Sequence, residues 1–219
     1  MSTTGSAANS AANSDRRSRR RQQTIDEILD VSVALMETEG VAALSLSAVA
    51  RQLGMQPPSL YQYFPSKLAI YDALFRRGAE QIRDAQREAR AGAAVEDQLE
   101  LGITAFSRWC MDNQVLTQLL FWRTVPGFEP SPEAFAPAVE GLKDLESYLQ
   151  QAVDEGRLHQ DATSEEGMAL FTSLTAGVLS QQMANEPQAT FENGRFMRLM
   201  PTVLEMFYLH YKPTRGKEK

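Results

Sequence analysis

The chain has 219 residues, 43% of them hydrophobic, enough for one or two domains with a sizeable core. No apolar run approaches the roughly 18 residues of a membrane-crossing helix, no apolar stretch follows a basic N-terminal region, and the lone cysteine, Cys110, excludes an intrachain disulfide. A cytoplasmic protein without membrane contact is expected. The net charge of −6 is uneven: residues 1–80 hold 9 Lys/Arg and 8 Asp/Glu, or +1, and residues 81–219 hold 13 and 20, or −7.

In chain order, residues 2–14 contain only Ser, Thr, Gly, Ala and Asn. Such a segment buries too little apolar surface to offset its conformational entropy, so disorder is predicted for residues 1–20, a tail that ends in a basic cluster. That cluster is Arg16, Arg17, Arg19, Arg20 and Arg21. A first helix follows, with Ile25, Ile28, Leu29, Ser32, Leu35 and Met36 on its stripe and Glu39-Gly40 at its end. Leu46, Val49, Ala50 and Leu53 give the same spacing for a second helix, with Ser45 as its predicted N-cap. Gly54 suits a left-handed helix end, and Pro57 and Pro58 suit the first turn of a short third helix. This third helix carries Ser59, Tyr61 and Gln62 outward. The pattern over 44–63 is a helix-turn-helix, whose second helix can enter a DNA major groove.

Ser66 is the predicted cap of a fourth helix reaching about Ala91, with Ile70, Leu74 and Phe75 inward. Further helices are predicted over 95–112, 114–123, 132–155, 164–185 and 191–211, the last kinked at Pro201. No window alternates with period two, so no sheet is predicted and the fold class is all-α, with about nine helices.

Charge singles out the front of the chain for nucleic acid. Residues 41–71 contain no Asp or Glu, and the arginine cluster lies just before the first helix. Phosphate binding needs cations and the absence of repelling anions. Catalytic chemistry finds no foothold. His159 and His210 are the only histidines, and neither belongs to a metal-spacing motif. No phosphate-cradling glycine loop or serine nucleophile motif appears. We expect no catalytic residue, no metal and no cofactor.

Ala50-x-x-Leu53-Gly54-Met55 followed by Leu60-Tyr61-x-Tyr63-Phe64-x-Ser66-Lys67 resembles the DNA-binding domain of the TetR/AcrR-like family of bacterial transcriptional regulators. The resemblance covers residues 22–81. It implies a helix-turn-helix DNA-binding domain over 21–81 and a helical ligand-binding and dimerisation domain over 82–219. The implied function is a dimeric repressor released from double-stranded operator DNA by a small apolar or amphipathic effector. An activator or a ligand-independent regulator of the same fold is the alternative, and a helical enzyme is a remote one.

By resemblance, Ser47 reaches a groove edge or phosphate, and Gln56, Pro57, Pro58 and Ser59 open the recognition helix. Tyr61 and Lys67 match phosphate contacts, Gln62 and Tyr63 lie beside the backbone, and Arg19, Arg20 and Arg21 reach toward the minor groove. The competing reading of Tyr63 is packing. Ser47 is shorter than the family often carries, and Pro57 and Pro58 replace small or polar residues, which shifts readout toward shape and apolar contact.

The resemblance also nominates pocket walls: Phe106, Trp109, Cys110, Phe121, Trp122, Tyr148, Phe171 and Thr175. Each has ordinary core packing as its competing reading. The helix over 191–211 is apolar through Phe196, Leu199, Met200, Val203, Leu204, Phe207, Tyr208 and Tyr211, an arc wide enough to bury two faces. The helix over 164–185 is similar through Leu170, Leu174, Gly177, Val178 and Gln181. These two helices from each subunit are predicted to form a four-helix dimer interface. By the family mechanism, ligand binding tilts the fourth helix.

Overall fold

A computed structural model describes residues 4–213, with side chains from residue 15 onward except that of residue 95. Among the described residues there are nine α-helices and no strand. No helix of the described residues is long and apolar enough to cross a membrane.

Helix α1 runs Thr4–Glu39, so the expectation of disorder over residues 4–20 is corrected. Two facts explain the difference. Ala7, Ala8, Ala11 and Ala12 have high helix propensity, and after Gly5 nothing in the segment breaks a helix. Helix propagation is also far easier than nucleation, and the nucleus is supplied by the packed part of α1. That part begins near Ile25 and buries Ile28, Leu29, Ser32 and Met36. The buried Ser32 hydroxyl is satisfied within the helix, donating to the Ile28 carbonyl at 2.7 Å.

Helices α2 (Leu46–Gln52) and α3 (Pro57–Tyr61) pack on α1 and on the start of α4 (Lys67–Arg90). Leu44, Val49, Ala50, Leu60, Phe64, Ile70, Tyr71 and Leu74 form their common core. The turn after α2 is a Schellman closure: Met55 N–H donates to the Ala50 carbonyl at 2.9 Å and Gly54 N–H to the Arg51 carbonyl at 3.2 Å. Gly54 has φ +65°, where a Cβ is strained. Tyr71 Oη, inside this core, donates to the Val41 carbonyl at 2.6 Å and so fixes the α1–α2 connection onto α4.

The predicted cap of α4 forms, with Ser66 Oγ accepting from Ala69 N–H at 3.2 Å. The predicted cap of α2 does not. Ser45 occupies the N-cap position, but its hydroxyl meets Ser47 Oγ at 2.8 Å and takes no bond from an α2 amide.

Helices α5 (Gln98–Asp112), α6 (Gln114–Phe121), α7 (Pro132–Asp154), α8 (Glu165–Asn185) and α9 (Met200–His210) complete the body. Its core includes Leu99, Cys110, Leu149, Phe171, Leu179, Met200 and Phe207, with the Phe171 and Phe207 rings edge to face at 5.1 Å. Asp72 on α4 clamps the start of α7, accepting from Ser131 N–H at 2.6 Å and Ser131 Oγ at 2.8 Å.

The last predicted helix is shorter than the apolar pattern suggested. Residues 191–196 form turns, because Asn193 Oδ1 takes the Thr190 N–H at 2.7 Å and Gly194 follows. The buried Gln182 amide oxygen accepts from Phe196 N–H at 2.9 Å, which sets the approach to α9. Pro201 therefore sits in the first turn of α9 rather than inside it, so it needs no kink. The proline inside a helix is Pro137, in α7.

Candidate nucleic-acid interface and neighbouring cavity

The helix-turn-helix exposes what its core does not use. Val49, Ala50, Leu60 and Phe64 point inward and are buried. Ser47, Gln56, Pro57, Pro58, Gln62 and Lys67 are exposed, and Tyr61 is 53% exposed although its ring is large and apolar. Ser59 and Tyr63 are half-buried. Phe64 N–H and Tyr63 N–H both donate to the Leu60 carbonyl, which closes α3 and turns the chain toward α4.

Tyr63 combines its two readings. It packs against the core and also carries the Arg21 guanidinium over its ring, 5.0 Å from the centroid. Arg21 Nη2 also donates to the Gln62 carbonyl at 3.4 Å, so the basic stretch of α1 lies beside the end of the recognition helix. Arg19 pairs with Asp15, and Arg20 is exposed. The arginines thus stand around a helical rod, beside the end of the recognition helix.

Sequence reasoning passed over Arg51, an exposed cation in the last turn of α2. Its signal was available, because Arg51 and Lys67 are the only cations in the carboxylate-free stretch. Lys67 begins a helix of 24 residues with no acid in its first turn. The positive end of the α4 dipole and the Lys67 ammonium therefore reinforce each other, which favours an anion there.

Beside α4 lies a cavity of about 380 Å³, within the size range of small-molecule sites. Phe75, Ala79, Ile82, Gln86 and Arg90 of α4 form one wall, and α5, α6, α7 and α8 supply the others. Of the eight nominated wall residues, Phe106, Phe121, Phe171 and Thr175 line it. The other four lie elsewhere. Trp109 packs against both hydrophobic cores, and Trp122 is exposed at the end of α6. Tyr148 carries the Arg90 guanidinium over its ring at 4.0 Å, next to the lining but not in it. Cys110 is fully buried in the rear core.

Burial pushes the Cys110 thiol up to about 12, so almost none of it is thiolate near neutral pH. The native protein should therefore resist a disulfide thiol reagent at pH 8 and react fully once unfolded. Native-state labelling within minutes would show that the site opens.

Residues 28–74 match the family model described as bacterial regulatory proteins, tetR family. An HTH-type transcriptional regulator of Mycobacterium tuberculosis, Rv1816, is 28% identical over 114 residues, covering 50% of this chain and 48% of its own length. The repressor KstR of Mycolicibacterium smegmatis is 29% identical over 137 residues, 61% of this chain and 65% of its own length. The chain thus spans about half the length of the first of these relatives. The crystal structure of the regulatory protein SCO4313 superposes with a TM-score of 0.68 at 26% identity, covering 87% of this chain and 97% of that one. The fatty acid degradation regulator FadR of Bacillus halodurans shares the fold at 17% identity and a TM-score of 0.67, over 86% of this chain and 97% of that one. The helix-turn-helix built on buried Val49, Ala50, Leu60 and Phe64 is thus a DNA-binding domain of the tetR family of bacterial regulatory proteins, and the chain as a whole shares the fold of SCO4313.

Proposed function

We propose that the protein is a dimeric DNA-binding transcriptional repressor, released from its operator when a small molecule occupies the cavity beside α4. The observation that carries this reading is the surface of α2 and α3, which exposes polar and aromatic side chains, holds no carboxylate and abuts the arginine stretch of α1. In this reading Gln56, Pro57, Pro58 and Ser59 meet base edges, while Ser47, Arg51, Tyr61 and Lys67 meet phosphates or the groove rim.

Dimerisation is supported by what α8 and α9 leave uncovered. On α9, Met206 and Leu209 are 55% and 62% exposed, and Leu199, one residue before it, is 48% exposed. On α8 most outward residues between its ends are small: Ala169, Ser173, Ala176, Gly177 and Ala184, with Gln181 among them. Large apolar side chains on one helix and a shallow face on its neighbour suit a two-fold four-helix packing. Release is supported by α4 itself, which lines the cavity with Phe75 to Arg90 and begins at Lys67. A ligand that binds one tilt of α4 more tightly would change the spacing of the two recognition helices.

The test is a mobility shift on duplex DNA from upstream of the gene, across several salt concentrations. Lys67→Ala should weaken binding to every duplex and flatten the salt slope by about 0.9. Gln56→Ala should change sequence preference and leave the salt slope intact. Unaltered affinity in the Lys67 variant at every salt concentration would remove that residue from the interface.

A further inference from the structure

Resting on the ligand-released reading, the next inference concerns the chemistry of the effector. The cavity is lined by Phe75, Phe106, Phe121, Phe135 and Phe171 among other apolar groups, and no Asp or Glu is among its lining residues. Its two threonines do not offer their hydroxyl protons. Thr172 Oγ1 donates to the Met168 carbonyl at 2.9 Å and Thr175 Oγ1 to the Phe171 carbonyl at 3.1 Å. Of the two lining cations, Arg83 is already paired with Glu140.

Arg90 differs. It is only 8% exposed, yet forms no ion pair among the described residues. Nε donates to the Gln98 carbonyl at 2.9 Å, and the Tyr148 ring lies beneath the guanidinium at 4.0 Å. The hydrogen bond of Arg90 to the backbone uses Nε alone, so the Nη edge of the guanidinium, beside Tyr148, is the part that can turn to a ligand. Burial lowers the guanidinium pKa from its ordinary value, with Tyr148 and Asp144 opposing. The space is built for this side chain: a Cβ on Gly102 would stand 1.8 Å from Arg90 Nη2. A largely buried guanidinium with no carboxylate at salt-bridge distance is costly, and its planar fork matches a carboxylate in bidentate fashion.

The shape completes the assignment. Phe75, Ala79, Ile82, Gln86 and Arg90 lie on one face of α4, so the wall runs about 22 Å along the helix axis. Arg90 is at one end of this wall and Phe75, with the Phe135 ring 5.8 Å away, at the other, while the paired Arg83 lies between. Phe121, Phe135 and Leu142 both line the cavity and stand exposed, which marks an apolar rim. We propose that the effector is a monoanionic amphiphile, a carboxylate on an extended apolar body, with its carboxylate on Arg90 and its body along α4 toward Phe75. A single guanidinium compensates a single charge, and a second negative charge would be buried unpaired.

The experiment is titration calorimetry on the full chain with dodecanoate and, as the uncharged probe, dodecanol. Wild type should bind dodecanoate at least tenfold more tightly than dodecanol. Arg90→Gln should abolish that preference and leave dodecanol binding unchanged. Gly102→Ala, which displaces the guanidinium while favouring the helix, should shrink the preference in the same direction. Equal affinities in wild type, no binding of either probe, or a preference that survives both substitutions would each overturn the proposal. Operator retention is measured separately on the same samples. Dodecanoate that binds through Arg90 without releasing DNA leaves the head-group assignment standing and removes the repressor-release mechanism.

Discussion

Replacing Met206 and Leu209 together with glutamate should give a folded monomer whose operator affinity falls by about two orders of magnitude. Both side chains are more than half exposed in the single chain, so the substitutions cost little within the subunit. In the proposed dimer each would place a carboxylate in an apolar seam, opposite its own symmetry copy. An unpaired buried charge costs several kcal/mol, and two-fold symmetry doubles every such cost. The affinity loss then follows from geometry. A monomer meets one half-site and loses the contacts of the other, although the surface of each recognition helix is intact. Sedimentation velocity at micromolar concentration and a mobility shift on the same preparation check both halves of the expectation. A variant that sediments as a dimer would place the interface elsewhere.

Leu60→Ala should destabilise the protein by about 2–5 kcal/mol, the range for truncating a fully buried leucine. Leu60 is 1% exposed, on a five-residue helix that no other fully buried side chain anchors. Against a total stability of about 5–15 kcal/mol, this is a large share. The recognition helix is too short to persist without packing, so operator binding should fall with it. Urea denaturation with a binding titration measures both. An unfolding midpoint within error of wild type would mean that α3 is held by something other than this core.

The helix-turn-helix was legible because each of its signals is local. The stripe through Val49, Ala50 and Leu53, the left-handed Gly54, the prolines at the start of α3 and the capping Ser66 are set by residues within a few positions of each other. Where the reading went astray, the deciding partner was distant or the competition was close. Ser45 had a second hydroxyl two residues away, and the side-chain pair won over the amide. The approach to α9 is set by Gln182, 14 and 15 residues upstream of the Phe196 and Met197 amides it accepts from, which no local pattern announces.

The cavity was half legible. Aromatic content nominated Phe106, Phe121 and Phe171, which line the cavity, but gave the same weight to Trp109 and Cys110, which the core absorbs. Arg90 was missed although its spacing from Phe75, Ala79, Ile82 and Gln86 puts it on the same face of α4. A cation near a helix C-terminus reads as ordinary dipole compensation, and only the fold shows it covered by Tyr148 and Gly102. Met206 and Leu209 were missed for a related reason. A wide apolar arc indicates that two faces are buried, without identifying which residues face outward.

The core beneath the DNA-reading helices does not end with α4. Leu116, Leu119 and Val125 belong to it, Phe128 packs against it, and the Tyr71 and Phe128 rings are 5.7 Å apart. A graft that moves specificity from one such protein to another by cutting after residue 81 would strip these groups away and leave an oily scar on each fragment. The workable junction for such chimeras lies beyond Phe128, in the stretch leading to α7, so that the reader travels with the floor it stands on.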